Sequence, residues 1–402
     1  MRDVYIYDGV RTPFGRHGGI LAKVRPDDLL ASVLQCIVKK NSINGDYIEE
    51  VIAGNSNQAG EDSRNIARNA ALISGLPVSV AGITVNRLCG SGMAAVHNAF
   101  HAIKCNEGEL FIACGVESMS RAPFVMSKAD VTYSRTQSMY DSTLGWRFPN
   151  KNLVEAYGDD NNSETADNIS RELDICREDS DIFAMSSQKK YQTAKLKGYF
   201  NEEINVVYTP GARRKDPLIP VNEDEHPRAD TTLEKLGKLL PLSEGGVVTA
   251  GNASGINDGA AGLLLGSLKV SERFGLKPRA KILGGAVTGV EPRIMGLGPV
   301  SATAKVLDRI GLKLKDIDVI EVNEAFANQV LGCMKKMDIS FNDSRVNPNG
   351  GAIAIGHPLG ASGVRLVLTA LRHLEATNGK YALATMCIGI GQGIAVIIER
   401  FN

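Results

Sequence analysis

The chain has no surplus of either charge. Its 402 residues carry 45 Lys and Arg against 45 Asp and Glu, so the electrostatic signature of a nucleic-acid binder, or of a protein drawn to an anionic membrane, is missing. No apolar run is long enough to cross a bilayer, and Met1 leads almost at once into the strand-like VYIYDGV without a signal or transit segment. Glu399 to Asn402 form no peroxisomal tripeptide, and a cytoplasmic location is expected. The seven cysteines are an odd number and include no CxxC pair, so neither a disulfide framework nor a zinc site is indicated. No glycine run ends in GK[ST], which excludes a phosphate loop.

Glycine, by contrast, is abundant at 42 residues, in a chain whose 43% hydrophobic content can bury a large core in two or more folding units. An internal repeat organises it. DYIEEVIAGNSNQ (46–58), VNRLCGSGMAAVHNAFHAI (85–103) and GELFIACGVESMS (108–120) correspond in order and spacing to KDIDVIEVNEAFA (315–327), VNPNGGAIAIGHPLGASGVRLVLTAL (346–371) and KYALATMCIGIGQG (380–393). Each set reads as a strand ending in a polar loop, a glycine-rich turn into a helix, and a second strand ending in Gly or Ser. The pattern predicts a duplicated α/β fold with mostly parallel sheets and active groups on the loops at strand ends. Residues 121–246 break the pattern with charged clusters and a few helices, a long insertion of the kind that covers a site or mediates association. VVTAGNASGINDGAAGLLLG (247–266) returns to it and is expected to complete the first sheet.

Chemistry concentrates in the glycine-rich turns. Cys89 follows the extended run Ala81 to Val85 and precedes helix-compatible spacing. A cysteine at a helix N-terminus meets unpaired N–H groups and the positive end of the helix dipole, which favour thiolate, and Gly90 and Gly92 admit a substrate. His357, in GGAIAIGHPLGASG, is held by loop geometry until after Pro358 and suits a general base for a thiol. Cys387 follows the strand YALATM and is expected to expose its sulfur at the strand end. Asn323 and Glu324 end the strand DVIEV, where polar side chains more often serve a site than a core, with helix capping the alternative for Asn323. The other cysteines, 36, 105, 114, 176 and 333, read as core or surface filler. His97 and His101 have the i, i+4 spacing of a metal pair without a third ligand, so no metal is expected. Gly389, Gly391 and Gly393 resemble a dinucleotide loop, but IAVIIERF after them reads as a strand where a helix is required.

Taken together, NRLCGSGMAAV, NEAFA, GGAIAIGHPLGASG and CIGIGQG make the chain resemble the thiolase family over nearly its whole length. The resemblance implies two αβαβα-type halves, 1–120 plus about 247–272 and 273–402, around a loop domain at 121–246 that binds CoA and makes oligomer contacts, in a homodimer or homotetramer. It implies Cys89 as the acyl-carrying nucleophile, His357 as its base, and Cys387 as the acid and base at the α-carbon. A water on Asn323 with the His357 ring would form one oxyanion hole, and the N–H groups of Cys89 and Gly389 the other. Arg228 and Ser254 would contact CoA, and Phe326 would line its tunnel. CoA and acyl-CoA enter as substrates, with no permanently bound cofactor. Within the family, YSRTQSMYDSTLGWRFPN (133–150), Tyr157–Gly158 and GEDSRNIARNAALISGLP (60–77) are most similar to members acting on 3-oxoadipyl-CoA, with Arg147 a candidate for the distal carboxylate. Acetoacetyl-CoA thiolysis, broader 3-ketoacyl-CoA thiolysis and non-catalytic acyl-CoA binding are the alternatives.

Overall fold

The computed structural model describes residues 2–401 except 212 and 214. Nine main strands are β1 (Tyr5–Arg11), β2 (Glu50–Gly54), β3 (Ala81–Val85), β4 (Leu110–Ser118), β5 (Asn257–Gly266), β6 (Ala280–Gly289), β7 (Val319–Val322), β8 (Tyr381–Ile388) and β9 (Gln392–Arg400). They form one sheet in the order β7-β8-β9-β6-β1-β5-β4-β2-β3. The helices that matter here are α1 (Pro26–Lys40), α2 (Ile66–Ile73), α3 (Ser91–Lys104), α4 (Asn162–Leu173), α5 (Arg177–Leu196), α6 (Gly298–Ile310), α7 (Ala327–Lys336) and α8 (Leu359–Thr377).

The repeat is structural. β2–α3–β4 and β7–α8–β8 are equivalent units in which the two strands run parallel. β5 then adds antiparallel to β4, and β9 antiparallel to β8. β3 has its counterpart in a single parallel bridge between Ile320 and Val346. The halves join through β1 and β6, which pair antiparallel at Tyr5 and Ile6. The expectation of mostly parallel sheets is corrected on this point. The sheet is mixed, because a three-residue loop after β8 returns the chain as a hairpin, and β5 arrives from the insertion in the opposite direction. Period-2 patterning reports which face a residue takes but not strand direction.

Side-chain alternation builds the layers. On β4, Phe111 and Ala113 enter a central core, while Leu110, Ile112, Cys114 and Val116 enter an outer one shared with α1 and α2. On β9, Ile394, Val396 and Ile398 face the centre, and Ala395 and Ile397 face α6 and α7. α3 and α8 fill most of the central layer, packed on each other and on strands of both halves. A helix covered on all sides is largely apolar, and α8 is buried at nearly every position up to Leu371, with Ser362, Arg365 and Thr369 the polar exceptions.

The first turns of these two helices touch backbone to backbone. A Cβ on Gly92 would stand 2.3 Å from the Gly360 carbonyl oxygen, one on Gly363 2.3 Å from the Met93 nitrogen, and one on Gly360 2.2 Å from the Val116 carbonyl oxygen. No rotamer change relieves a clash with backbone. Gly360→Ala is therefore expected to cost about 1–3 kcal/mol of stability in urea unfolding. Gly237→Ala, at the end of the short helix Leu233–Gly237 with open space around it, is expected to be neutral or up to about 1 kcal/mol stabilising. Equal effects of the two changes would contradict the packing argument.

Candidate active site

Cys89 and His357 each precede by three residues the glycine at which the central helices meet, Gly92 and Gly360. The helix contact therefore brings their two loops together. Cys89 lies between the end of β3 and Gly90, the N-cap of α3. Leu88 before it adopts φ 48°, and Ile390, in the β8–β9 loop, adopts φ 62°. Left-handed backbone at a leucine and an isoleucine costs roughly 1–2 kcal/mol each. The strain flanks two useful groups, the backbone N–H groups of Gly389 and of Cys89 itself, both of which favour the Cys89 thiolate.

Burial pushes the Cys89 thiol up to about 11, and the two N–H donors pull it only part of the way back. The expectation that the helix N-terminus yields a resting thiolate is thus corrected: enclosure outweighs the favourable dipole. The deprotonating group must come from nearby. His357 is buried, and burial, with the Arg365 charge second, lowers its imidazole to about 3. Thiol and imidazole are therefore both neutral at pH 7.

The tautomer of that imidazole follows from its partners. Ser362 donates its hydroxyl to the Pro358 carbonyl at 2.9 Å, leaving Oγ to accept from His357 Nδ1 at 2.6 Å. The lone pair is then on Nε2, which faces Asn323 Nδ2 at 3.3 Å. Asn257 Oδ1 accepts from the His357 backbone N–H at 2.9 Å. The residue before the histidine must be glycine, because Gly356 has φ 110° and a Cβ there would lie 2.6 Å from the Asn257 side chain. Ser362 and Asn257 escaped the sequence reading. Ser362 could have been suspected from its place one helical turn past Pro358, whereas nothing in the sequence marks Asn257.

Asn323 follows β7 and is fully buried; its N–H donates to the Thr385 carbonyl, and its Oδ1 has no partner among the described residues. Glu324 is corrected to a structural role. Its carboxylate accepts from Ser187 Oγ, Asn347 Nδ2 and the Ile353 N–H at 2.7, 2.8 and 3.1 Å, which ties α5 to the segment leading into the histidine loop. Cys387 is buried within β8 rather than exposed at its end, packed with Met295, Ala325 and Phe326. Burial raises its thiol well above the ordinary range, with the Cys89 charge next in size.

Phe326 also packs against Ala166, Val248 and Ala253, and the Ser254 N–H donates to the Ala325 carbonyl at 2.9 Å. The Ser254 loop thus lies against the Asn323 segment. Gly255 beside it leaves room for the His226 ring, 2.2 Å from where a Cβ would stand. Arg228, two residues on, is exposed, its backbone N–H on Gln188 Oε1. Arg147 donates to the Ser142 carbonyl at 3.2 Å within its own loop. Tyr157 is exposed, and the residue of that region that approaches the site is Asn162, whose Oδ1 lies 3.7 Å from a Cβ placed on Gly389. His97 donates to the Ala395 carbonyl, and no group of His, Cys, Asp or Glu among the described residues is arranged to hold a metal ion.

Comparison with known proteins covers both halves of the chain. The family profile described as Thiolase, N-terminal domain matches residues 4–269, and Thiolase, C-terminal domain matches residues 276–400. The chain is 54% identical to a beta-ketoadipyl-CoA thiolase of Pseudomonas aeruginosa over 99% of each chain. It is 52% identical to the 3-oxoadipyl-CoA/3-oxo-5,6-dehydrosuberyl-CoA thiolase of Escherichia coli K12 over 100% of each. An acetyl-CoA acetyltransferase of Chromobacterium violaceum is 41% identical over 99% of this chain and 100% of its own. The crystal structure of human mitochondrial 3-ketoacyl-CoA thiolase in complex with CoA superposes with a TM-score of 0.91 at 37% identity, over 100% of this chain and 98% of that one. With both halves matched and the reactive loops converging on one site, the chain belongs to the thiolase family.

Proposed function

We propose that the protein cleaves 3-oxoadipyl-CoA with CoA into succinyl-CoA and acetyl-CoA, through an acyl-enzyme on Cys89, reversibly. The observation that carries the mechanism is an imidazole whose Nε2 lone pair is fixed by Ser362, on the loop that the α3–α8 contact brings toward Cys89. His357 takes the Cys89 proton, and the thiolate attacks the 3-keto carbon. The C2–C3 bond breaks, and Cys387, kept a thiol by its burial, gives its proton to the departing acetyl-CoA carbanion. CoA then attacks the succinyl thioester, its thiol proton returning to Cys387, while His357 returns the first proton to Cys89. Negative charge on the carbonyl oxygens is met at the N–H groups of Cys89 and Gly389 and at the Asn323–His357 pair, each donor worth about 3–4 kcal/mol.

Arg228, Ser254 and Phe326 are assigned to CoA, which is a substrate rather than a resident cofactor. The halves 1–120 plus about 247–272 and 273–402 carry the chemistry, and 121–246 is the loop domain for CoA and subunit contacts. A homodimer or homotetramer is supported by edge strand β3, where Ile83 is exposed beside exposed Leu72, Ile73 and Val78; an unpaired apolar edge invites strand pairing. A cytoplasmic location is proposed; no helix among the described residues is long and apolar enough to cross a membrane. The acyl chain is assigned from the higher identity to relatives named for 3-oxoadipyl-CoA than to the one named for acetyl transfer.

A thiolysis panel of 3-oxoacyl-CoAs tests the substrate. The kcat/KM for 3-oxoadipyl-CoA is expected to exceed that for acetoacetyl-CoA at least tenfold; equal or reversed values would replace the assignment by acetoacetyl-CoA thiolysis. A second measurement separates the cysteines. Cys387→Ala is expected to keep acylating at Cys89 yet to lose exchange of the acetyl-CoA α-protons into deuterated water, and undiminished exchange would remove Cys387 from the role of base.

A further inference from the structure

One face of α8 is polar although the helix is buried on all sides. Ser362, Arg365, Thr369 and Arg372 follow one another at spacings of 3, 4 and 3, the repeat of a single helical stripe. Ser362 holds the His357 ring, Arg365 meets Glu321, and Thr369 and Arg372 meet Glu203. Arg365 and Glu321 are both fully buried, and their single contact is Nη1 to Oε2 at 3.2 Å. Nε and Nη2 of Arg365 and Oε1 of Glu321 have no hydrogen-bond partner among the described residues.

Such a pair does little for stability. Desolvating two charges costs several kcal/mol per ion, and only well-made, fully hydrogen-bonded geometry offsets it. Elsewhere in the same core the fully buried Arg11 shows what good geometry looks like, with Nη1 and Nη2 on the two oxygens of Asp224 at 2.6 and 2.9 Å. The Arg365–Glu321 contact is the weaker one, and it sits at a particular place. Arg365 is one turn along α8 from Ser362, and Glu321 is two residues along the chain from Asn323. The pair therefore links the two elements that hold the two sides of the His357 ring, Ser362 at Nδ1 and Asn323 at Nε2.

We infer that Glu321 and Arg365 are positioning residues, a buried clamp that sets the Asn323–His357 spacing and holds a fixed charge one helical turn from Ser362, the residue that orients the imidazole. This deepens the Cys89–His357 reading above and rests on it. The charge balance around the clamp is consistent with it. Arg365 is the charged group that acts on His357, lowering it after burial; the other titratable groups converging on the site are the thiols of Cys89 and Cys387 and the buried carboxyl of Glu117, which acts on Cys89 and accepts from the Gly360 N–H at 2.9 Å. Around the guanidinium stand Glu321, Glu203 and Glu324, opposed by Arg11, and Lys190 acts on Glu321. Burial pushes Glu321 up to about 8, with Arg365 pulling it back. Neither partner is fully compensated, and the pair leaves a positive field on the histidine side.

The test uses the full-length protein with 15N-labelled histidine, His357 being assigned by its loss in His357→Asn. In wild type the ring is expected to remain neutral and protonated on Nδ1 from pH 8 to pH 5.5. Arg365→Met removes the cation that opposes imidazolium, so the ring is expected to begin protonating in that range. Its kcat for thiolysis is expected to fall at least tenfold, while KM for the acyl-CoA stays within threefold. Arg365→Lys keeps the charge and is expected to restore the neutral ring and most of the rate. Glu321→Asp keeps the carboxyl group but shortens the reach, and is expected to lower kcat with the ring still neutral; it carries the test if Arg365→Met does not fold. A neutral ring with unchanged kcat in Arg365→Met, or unchanged kcat in Glu321→Asp, overturns the inference, as does a rate loss in Arg365→Met that Arg365→Lys fails to restore. Wild-type acylation at Cys89 is followed in parallel. Its absence sinks the underlying reading, whereas acylation with indifferent variants sinks the clamp alone.

Discussion

The backbone contact between the first turns of α3 and α8 governs the arrangement of everything reactive. Gly92 and Gly363 let two buried helices approach until carbonyl and N–H groups touch, and Gly360 lets α8 reach the carbonyls of β4 and β2, closer than any residue with a Cβ allows. Because the two halves are copies, this contact also places equivalent positions of the two copies side by side, so that the cysteine of one and the histidine of the other come to the same point. The strands that follow, β4 and β8, are likewise equivalent. Yet only β8 ends in the loop whose Gly389 N–H reaches the sulfur. Duplication supplied the symmetric frame, and the difference between the two glycine loops made one site from it.

Enclosure sets the electrostatics. In the open, a thiol at a helix N-terminus beside an imidazole would form an ion pair at neutral pH. Here burial raises one partner to about 11 and lowers the other to about 3, and both rest neutral. Charge is created only when a substrate carbonyl supplies a place for it, next to N–H donors already fixed in position. Cys387 follows the same logic. A thiol held far above neutrality is a poor nucleophile but keeps its proton for a carbanion.

The sequence made the reacting groups legible for a specific reason. Cys89, Asn323, His357 and Cys387 each sit in a short motif whose glycines or strand-end position restrict what the side chain can do, and that restriction is local. The repeat was legible too, since it lies in order and spacing. What could not be read depends on partners distant in the chain. Ser362 matters because of the hydroxyl's second bond to Pro358, Asn257 because it crosses from β5, and the left-handed Leu88 and Ile390 because their neighbours over-determine them. Glu324 looked like a site residue because a strand end is polar on both sides, and only the structure shows which side faces Ser187. The mixed sheet escaped because alternation carries no direction.

The central claim is that the sulfur of Cys89 carries the acyl group while every other cysteine stays free. Rapid mixing of the protein with 3-oxoadipyl-CoA without added CoA, acid quenching and peptide mapping by mass spectrometry tests it directly. The account predicts a succinyl group on the peptide containing Cys89 and one equivalent of acetyl-CoA released, with neither in Cys89→Ala. An acyl group on Cys387, or acetyl-CoA release with no adduct on Cys89, would contradict it.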